Sequence, residues 1–491
     1  MSRADRRIEE TIMSETLFDD LYVGGKWIAA GDGERFAVAD PATGGTVAMV
    51  ASGTTEDAIA AVAAAAEAGP LWASAPPRAR GDVLRRAYEA MIARRGEIAR
   101  LIVLESGKSW ADAIGEADYA AGFFRWYAEE AVRIRGQVGA SPAADKQILA
   151  LQEPVGVSVL VTPWNFPAAM ATRKIGPALA AGCTVVLKPA SDTPLTALLL
   201  ADLLAQAGAP AGVVNVVPSR RSGPTVAAML GDPRVRKLSF TGSTEVGQML
   251  LRLASDQVLN CSMELGGNAP FLVFDDADLE TAVEGALVAK MRNGGESCIA
   301  ANRFLVHESI AADFGERFAE RMSRLRVGPG MDPHNEVGPL INEPARAEIA
   351  ALVRQSIAGG ARLLTGGAEL DGPGWFFAPT VLADVPPQDP ILRTEIFGPV
   401  APICTFGDEA EAIARANNTE FGLASYVFSR DVGRALRVAY RIEAGVVGIN
   451  RGFVSDPAAP FGGMKQSGLG REGGAAGITE FLETKYVAVN W

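Results

Sequence analysis

The chain has 491 residues, 48% hydrophobic and 21% charged, with 53 glycines and 29 prolines; this is ordinary globular composition, too long for one simple core. Forty-six basic against fifty-eight acidic residues leave a net charge of −12, which argues against nucleic acid or an anionic membrane as partner. No run of eighteen apolar residues occurs, so no membrane span is predicted.

Residues 1–20 are charged and lack an apolar core, which predicts a flexible extension rather than a signal peptide. Residues 21–50 read as short strands joined by glycine turns. Thr54 then caps a helix, with Glu56 and Asp57 in its first turn and an alanine-rich run to Ala68. Further helices cover about 78–134, and 136–154 reads as an extended arm. From there strand and helix alternate. VGVSVLV (155–161), TVVLK (184–188), VVNVV (213–217) and VRKLSF (235–240) are short β-branched runs, separated by helical stretches at 167–181, 194–207, 224–231 and 244–254. That alternation predicts an α/β fold with a doubly wound parallel sheet. A second set starts at PFLVF (270–274), continues through helix 278–293, strand RFLVH and helix 310–326, and runs to about 447. The apolar strand after about 477 has no evident partner, so it is expected to pair with another subunit.

The four cysteines, Cys183, Cys261, Cys298 and Cys404, form no CxxC pair, which fits reduced thiols and a cytoplasmic location. Histidine occurs only at 307 and 334. A histidine-rich metal site is thereby excluded, and a general base is expected to be a carboxylate.

Five segments could carry chemistry. Gly294 and Gly295 precede Glu296-Ser297-Cys298, which makes Cys298 either an accessible nucleophile or a buried structural cysteine. Glu264 lies beside two glycines in Met263–Asn268, as a base in an apolar pocket or as the cap of a turn. Asn165, in Thr162–Pro167, follows a strand; its amide either donates to an oxyanion or caps the next helix. Lys188, in Lys188–Ser191, is a cofactor ligand or a surface ion-pair partner. Gly242 and Ser243 open a helix in Phe240–Gly247, a weak phosphate-site signal alone.

In this order the segments resemble the aldehyde dehydrogenase superfamily. PWNFP, KPAS, FTGST, ELGGN, the GESC loop, EIFGPV (395–400) and PFGGMKQSGLGRE (460–472) all match, and Glu264 stands 34 residues before Cys298. The resemblance runs from about Tyr22 to the last strand and implies no metal. It implies Cys298 as the nucleophile, Asn165 with the Cys298 N–H as oxyanion donors, and Glu264 as the base that activates water. Lys188 would hold the adenosine ribose, Ser191 could donate to a 2′-phosphate, Ser243 in its Gly242-Ser243 turn would hold the pyrophosphate, and Glu395 and Phe397 the nicotinamide ribose and ring, with Trp164 in the same cleft. A serine at 191, where NAD-specific relatives often carry glutamate, favours NADP, with NAD as the alternative.

Within the superfamily the chain is most similar to the succinate-semialdehyde dehydrogenase branch, whose substrate carboxylate is held by arginines and a serine; Arg173, Arg303 and Ser455 match. Ala300 stands where that branch often has a second cysteine, and GESC replaces GQTC. Arg451 adds a cation near Ser455, which opens two alternatives: a related anionic aldehyde, such as sulfolactaldehyde or glutarate semialdehyde, or a broad range. The expected organisation is a cofactor-binding domain at 21–135 and 155–265, a catalytic domain at 266–450, and an oligomerisation arm at 136–154 and 477–491. A homodimer or homotetramer is expected.

Overall fold

The computed structural model describes residues 18–490. Most of the expected N-terminal extension, residues 1–17, lies outside them. Five parallel strands form the centre of an eight-stranded sheet, in the order Asn260–Glu264, Val235–Thr241, Val157–Val161, Val185–Lys188 and Val214–Val216. Their β-branched side chains are buried nearly throughout, as expected where helices cover both faces. Gly468–Leu469 closes one edge antiparallel, and the hairpin Leu21–Val23/Lys26–Ile28 closes the other. Strand order reverses between Val157–Val161 and Val235–Thr241. At such a reversal the loops leaving adjacent carboxyl ends part and leave a crevice.

The second sheet has seven strands, ordered Arg362–Thr365, Thr380–Ala383, Val400–Phe406, Ala301–His307, Ala269–Val273, Ala424–Phe428 and Val446–Ile449, parallel except at the first pair. Phe271 is central to its core, with its ring 4.7 Å from Phe428 and 5.2 Å from Phe304. The α/β architecture with two doubly wound sheets is therefore as the sequence implies.

Local rules account for the helices that frame the crevice. Thr54 and Asp57 form a reciprocal capping box for helix Thr55–Ser74. That helix outlasts its expected end at Ala68 and passes Pro70, because Trp72 in its last turn is buried. Helix Pro167–Ala181 starts on a proline, ends at Gly182 in the left-handed region (φ 99°), and is buried along its whole length. No single described helix is long and apolar enough to cross a membrane.

One expectation is corrected. The terminal strand Leu482–Val489 finds its partner in its own chain: it pairs antiparallel with Gln147–Pro154, which pairs in turn with Gln137–Ala140. Eight consecutive registered pairs outweigh its lack of a sequence neighbour.

Candidate active site

The crevice deepens into a cleft of about 460 Å³ that takes residues from both sheets. All the candidate site residues named above line it except Glu264, Arg303 and Arg451.

Cys298 follows helix Leu279–Met291 and a tight turn, in which Asn293 (φ 55°), Gly294 (φ 60°) and Gly295 (φ 86°) are all left-handed. Close approach makes glycine obligatory on both flanks of this loop. A Cβ on Gly295 would lie 2.2 Å from the Gly398 carbonyl oxygen, and one on Gly267 would lie 2.2 Å from that of Cys298. The loop that carries the thiol is thus packed against two other stretches of backbone. Burial pushes it up to about 12, while Arg173 and Arg292 draw it down and Glu395 and Glu264 push it further up.

Glu264 ends strand Asn260–Glu264 just behind the lining residues Leu265 and Gly266. It is 3% exposed, and neither carboxyl oxygen has a hydrogen-bond partner among the described residues. Burial first, and then Glu472, raise it well above the usual carboxylate range; Lys174, Arg173 and Arg471 act against them. A carboxyl in that condition keeps its proton to higher pH than usual and, once ionised, is a stronger base towards nearby water. Asn165 lines the cleft, spending one amide hydrogen on the Glu296 carbonyl at 3.1 Å.

At the other end of the cleft, Lys188 is buried with a serine hydroxyl, Ser222 Oγ, as hydrogen-bond acceptor. Desolvation lowers its ammonium to about 8 and Asp192 opposes this. Ser191 lies beside it. Ser243 caps helix Thr244–Ser255, so that helix opens its N-terminus onto the cleft. Thr241 Oγ1 is buried here without a partner among the described residues. Glu395 accepts from the Gly267 N–H at 3.0 Å, and burial raises its carboxyl to about 7. Trp164 and Phe397 meet edge to face at 5.3 Å. A hydroxyl-rich lysine site, an exposed helix N-terminus, an orphan hydroxyl and an aromatic wall fit an extended phosphorylated cofactor. Ser222 and Thr241 escaped sequence reading because nothing local separates them from other serines and threonines.

The anionic-tail residues need a correction. Arg173 lies beside the thiol end of the cleft, bonded to the Tyr119 hydroxyl and stacked over Phe461 at 4.2 Å. Ser455 is also there, but the arginine that joins it is Arg292, whose Nη1 donates to Ser455 Oγ at 3.1 Å. Arg292 sits among the Phe166, Phe453 and Tyr119 rings at 4.8, 4.9 and 5.5 Å. Arg303 is elsewhere. It projects from strand Ala301–His307 and donates to the carbonyls of Asn268, Arg415 and Ala416. Those acceptors satisfy the buried guanidinium and bind it beneath the Asn268 turn. Arg451 is exposed and donates to the Phe453 carbonyl at 2.6 Å, so it does not enter the cleft. The signal for Arg292, a cation ending a helix, is shared by ordinary helix C-termini.

The model of the aldehyde dehydrogenase family matches residues 27–487. A succinate-semialdehyde dehydrogenase of Paenarthrobacter nicotinovorans is 56% identical over 90% of this chain and 98% of its own length. A 3-sulfolactaldehyde dehydrogenase of Pseudomonas putida is 47% identical, over 96% of this chain and 97% of its own. An Escherichia coli NADP-dependent enzyme of known structure superposes with a TM-score of 0.95 at 46% identity, covering 96% of this chain and 98% of its own.

Proposed function

The chain belongs to the aldehyde dehydrogenase family, and we propose that it oxidises a short aldehyde with a terminal acid, succinate semialdehyde foremost, to the carboxylic acid. The observation that carries this is the pairing of Arg173 and Arg292, with Ser455, in the same cleft as Cys298. Two guanidinium groups in an aromatic-walled site favour a small anion through charge-assisted bonds and leave an uncharged tail with nothing to replace them.

Cys298 loses its proton to solvent, and the thiolate adds to the carbonyl carbon. Asn165 Nδ2 and the Cys298 N–H hold the resulting oxyanion. Bound NAD(P) supplies the hydride acceptor. When the oxyanion collapses, hydride leaves the carbon and a thioester on Cys298 remains. Glu264 takes a proton from water, hydroxide adds to the thioester carbon, and the thiolate departs, releasing the acid. On this reading 21–135 and 155–265 hold the cofactor, 266–450 carry the nucleophile, and 136–154 with 477–491 join subunits into a homodimer or homotetramer.

The Lys188 ammonium and the Ser191 hydroxyl at this end of the cleft would suit a 2′-phosphate, which supports NADP as the favoured cofactor. Ser191→Glu is expected to lower the NADP/NAD ratio of kcat/KM at least about tenfold, since a carboxylate there repels a phosphate. An unchanged ratio removes Ser191 from cofactor choice.

The function is tested with succinate semialdehyde, glutarate semialdehyde, sulfolactaldehyde and butyraldehyde. The acids are expected to be better substrates by kcat/KM. Arg292→Ala should lower kcat/KM for succinate semialdehyde about 10- to 100-fold, the worth of a charge-assisted bond, with little change for butyraldehyde. Equal use of butyraldehyde by the unaltered enzyme would sink the acid-tail reading.

A further inference from the structure

Two buried groups that take no part in this chemistry, Lys108 and Asn293, converge on one atom, the main-chain carbonyl oxygen of Asn165. Lys108 Nζ donates to it at 2.7 Å and Asn293 Nδ2 at 3.0 Å. The Asn293 amide also donates to the Glu296 carbonyl at 2.9 Å, the same carbonyl that accepts from Asn165 Nδ2. The loop of the oxyanion donor and the loop of the nucleophile are therefore tied together at two shared acceptors.

Helix Trp110–Glu130 and the residues before it anchor this tie. Lys108 pairs with Glu116 at 2.5 Å, with both side chains at most 1% exposed, and its ammonium lies 4.2 Å from the Phe166 ring. The other Glu116 oxygen accepts from the Ala168 and Ala169 N–H groups at 2.8 and 3.2 Å, fixing the first turn of helix Pro167–Ala181. Asp112 Oδ2 accepts the main-chain N–H of Asn293 at 3.1 Å. A buried ion pair is a poor source of net stability. This one, with Asp112 and Asn293, is instead spent on backbone groups flanking the reacting atoms.

We propose that Lys108 and Asn293 are positioning residues, which aim the Asn165 amide at the oxyanion on Cys298 by holding the Asn165 carbonyl. The inference rests on the roles given above to Asn165 and Cys298. Misplacing a catalytic group by 1 Å can cost about a hundredfold, so freeing this carbonyl should slow the first chemical step while leaving the binding surfaces in place.

The test is the pre-steady-state rate of hydride transfer in Asn293→Gly, in Lys108→Met/Glu116→Gln, and in each combined with Asn165→Ala. Glycine keeps the left-handed turn at 293, and the paired change strands no buried charge. Both variants are expected to slow hydride transfer about 10- to 100-fold, with cofactor Kd and aldehyde KM within about threefold of the unaltered enzyme. In the Asn165→Ala background either change should cost less than about threefold more, because it acts through Asn165. Hydride transfer within threefold of normal in folded Asn293→Gly, or losses that multiply with Asn165→Ala, would overturn the proposal; if the lysine variant does not fold, Asn293→Gly decides. Hydride transfer retained in Cys298→Ala would instead overturn the reading beneath it.

Discussion

Cys298→Ala is expected to abolish aldehyde oxidation, with hydride transfer down by at least about 10⁴-fold, as when a covalent nucleophile is removed. No tetrahedral adduct forms without the sulfur, so the Asn165 amide has no oxyanion to hold. Cofactor affinity should persist, since none of the residues proposed to hold the cofactor is changed. Stopped-flow absorbance with saturating aldehyde and NADP measures the first effect and a direct titration the second. Substantial dehydrogenase activity in this variant would end the thioester mechanism. A companion measurement follows from the thiol being pushed up to about 12 by burial. The thiolate is then a minor species at neutrality, so iodoacetamide should modify Cys298 about tenfold faster for each unit of rising pH.

Glu264→Gln should separate the two halves of the reaction. A first turnover of hydride transfer persists, steady turnover falls about 10²- to 10⁴-fold, and acyl-enzyme accumulates as a mass addition on Cys298. The sign of the pH dependence follows from the same carboxyl. Burial and Glu472 raise it above the ordinary range, so its base form is gained at higher pH than an ordinary carboxylate's. Thioester hydrolysis in the unaltered enzyme should therefore speed up with pH, and the slope should vanish in Glu264→Gln. Normal steady turnover in the variant would assign deacylation to another base.

Much of the sheet architecture was legible because buried parallel strands write themselves as unbroken β-branched runs. Residues 184–188 and 213–217 became Val185–Lys188 and Val214–Val216. The cleft was legible for a related reason. Asn165, Lys188, Ser243 and Glu264 all stand at or just beyond the carboxyl ends of those strands, where an open α/β sheet places its ligands.

What escaped was orientation. Arg292 and Arg303 both flank Cys298, and sequence distance does not say which faces the aldehyde. A strand residue satisfied by three carbonyls turns one away, and a helix-end residue bonded to Ser455 turns the other in. Arg451 misled for a similar reason: it follows Asn450, at φ 50° in the left-handed region, and folds back on Phe453. The terminal strand was unreadable because its hydrogen-bond partner, as with Gln152 and Thr484, is 332 residues distant.

The short edge strand Gly468–Leu469 has a consequence in time. It lies against Met263 and Glu264, Gly462 leaves the space that the Glu264 carboxyl fills, and Glu472 and Arg471 are among the charges that act on that carboxyl. Part of the environment of the base thus comes from residues 462–472, about two hundred residues after Glu264 itself. A ribosome-bound chain already carries Cys298 while Glu264 still lacks its surroundings, and closure must wait for contacts of very long sequence separation, the slowest kind to form. Removing the chain from residue 462 onward should accordingly silence the chemistry well before it dissolves the cofactor-side sheet.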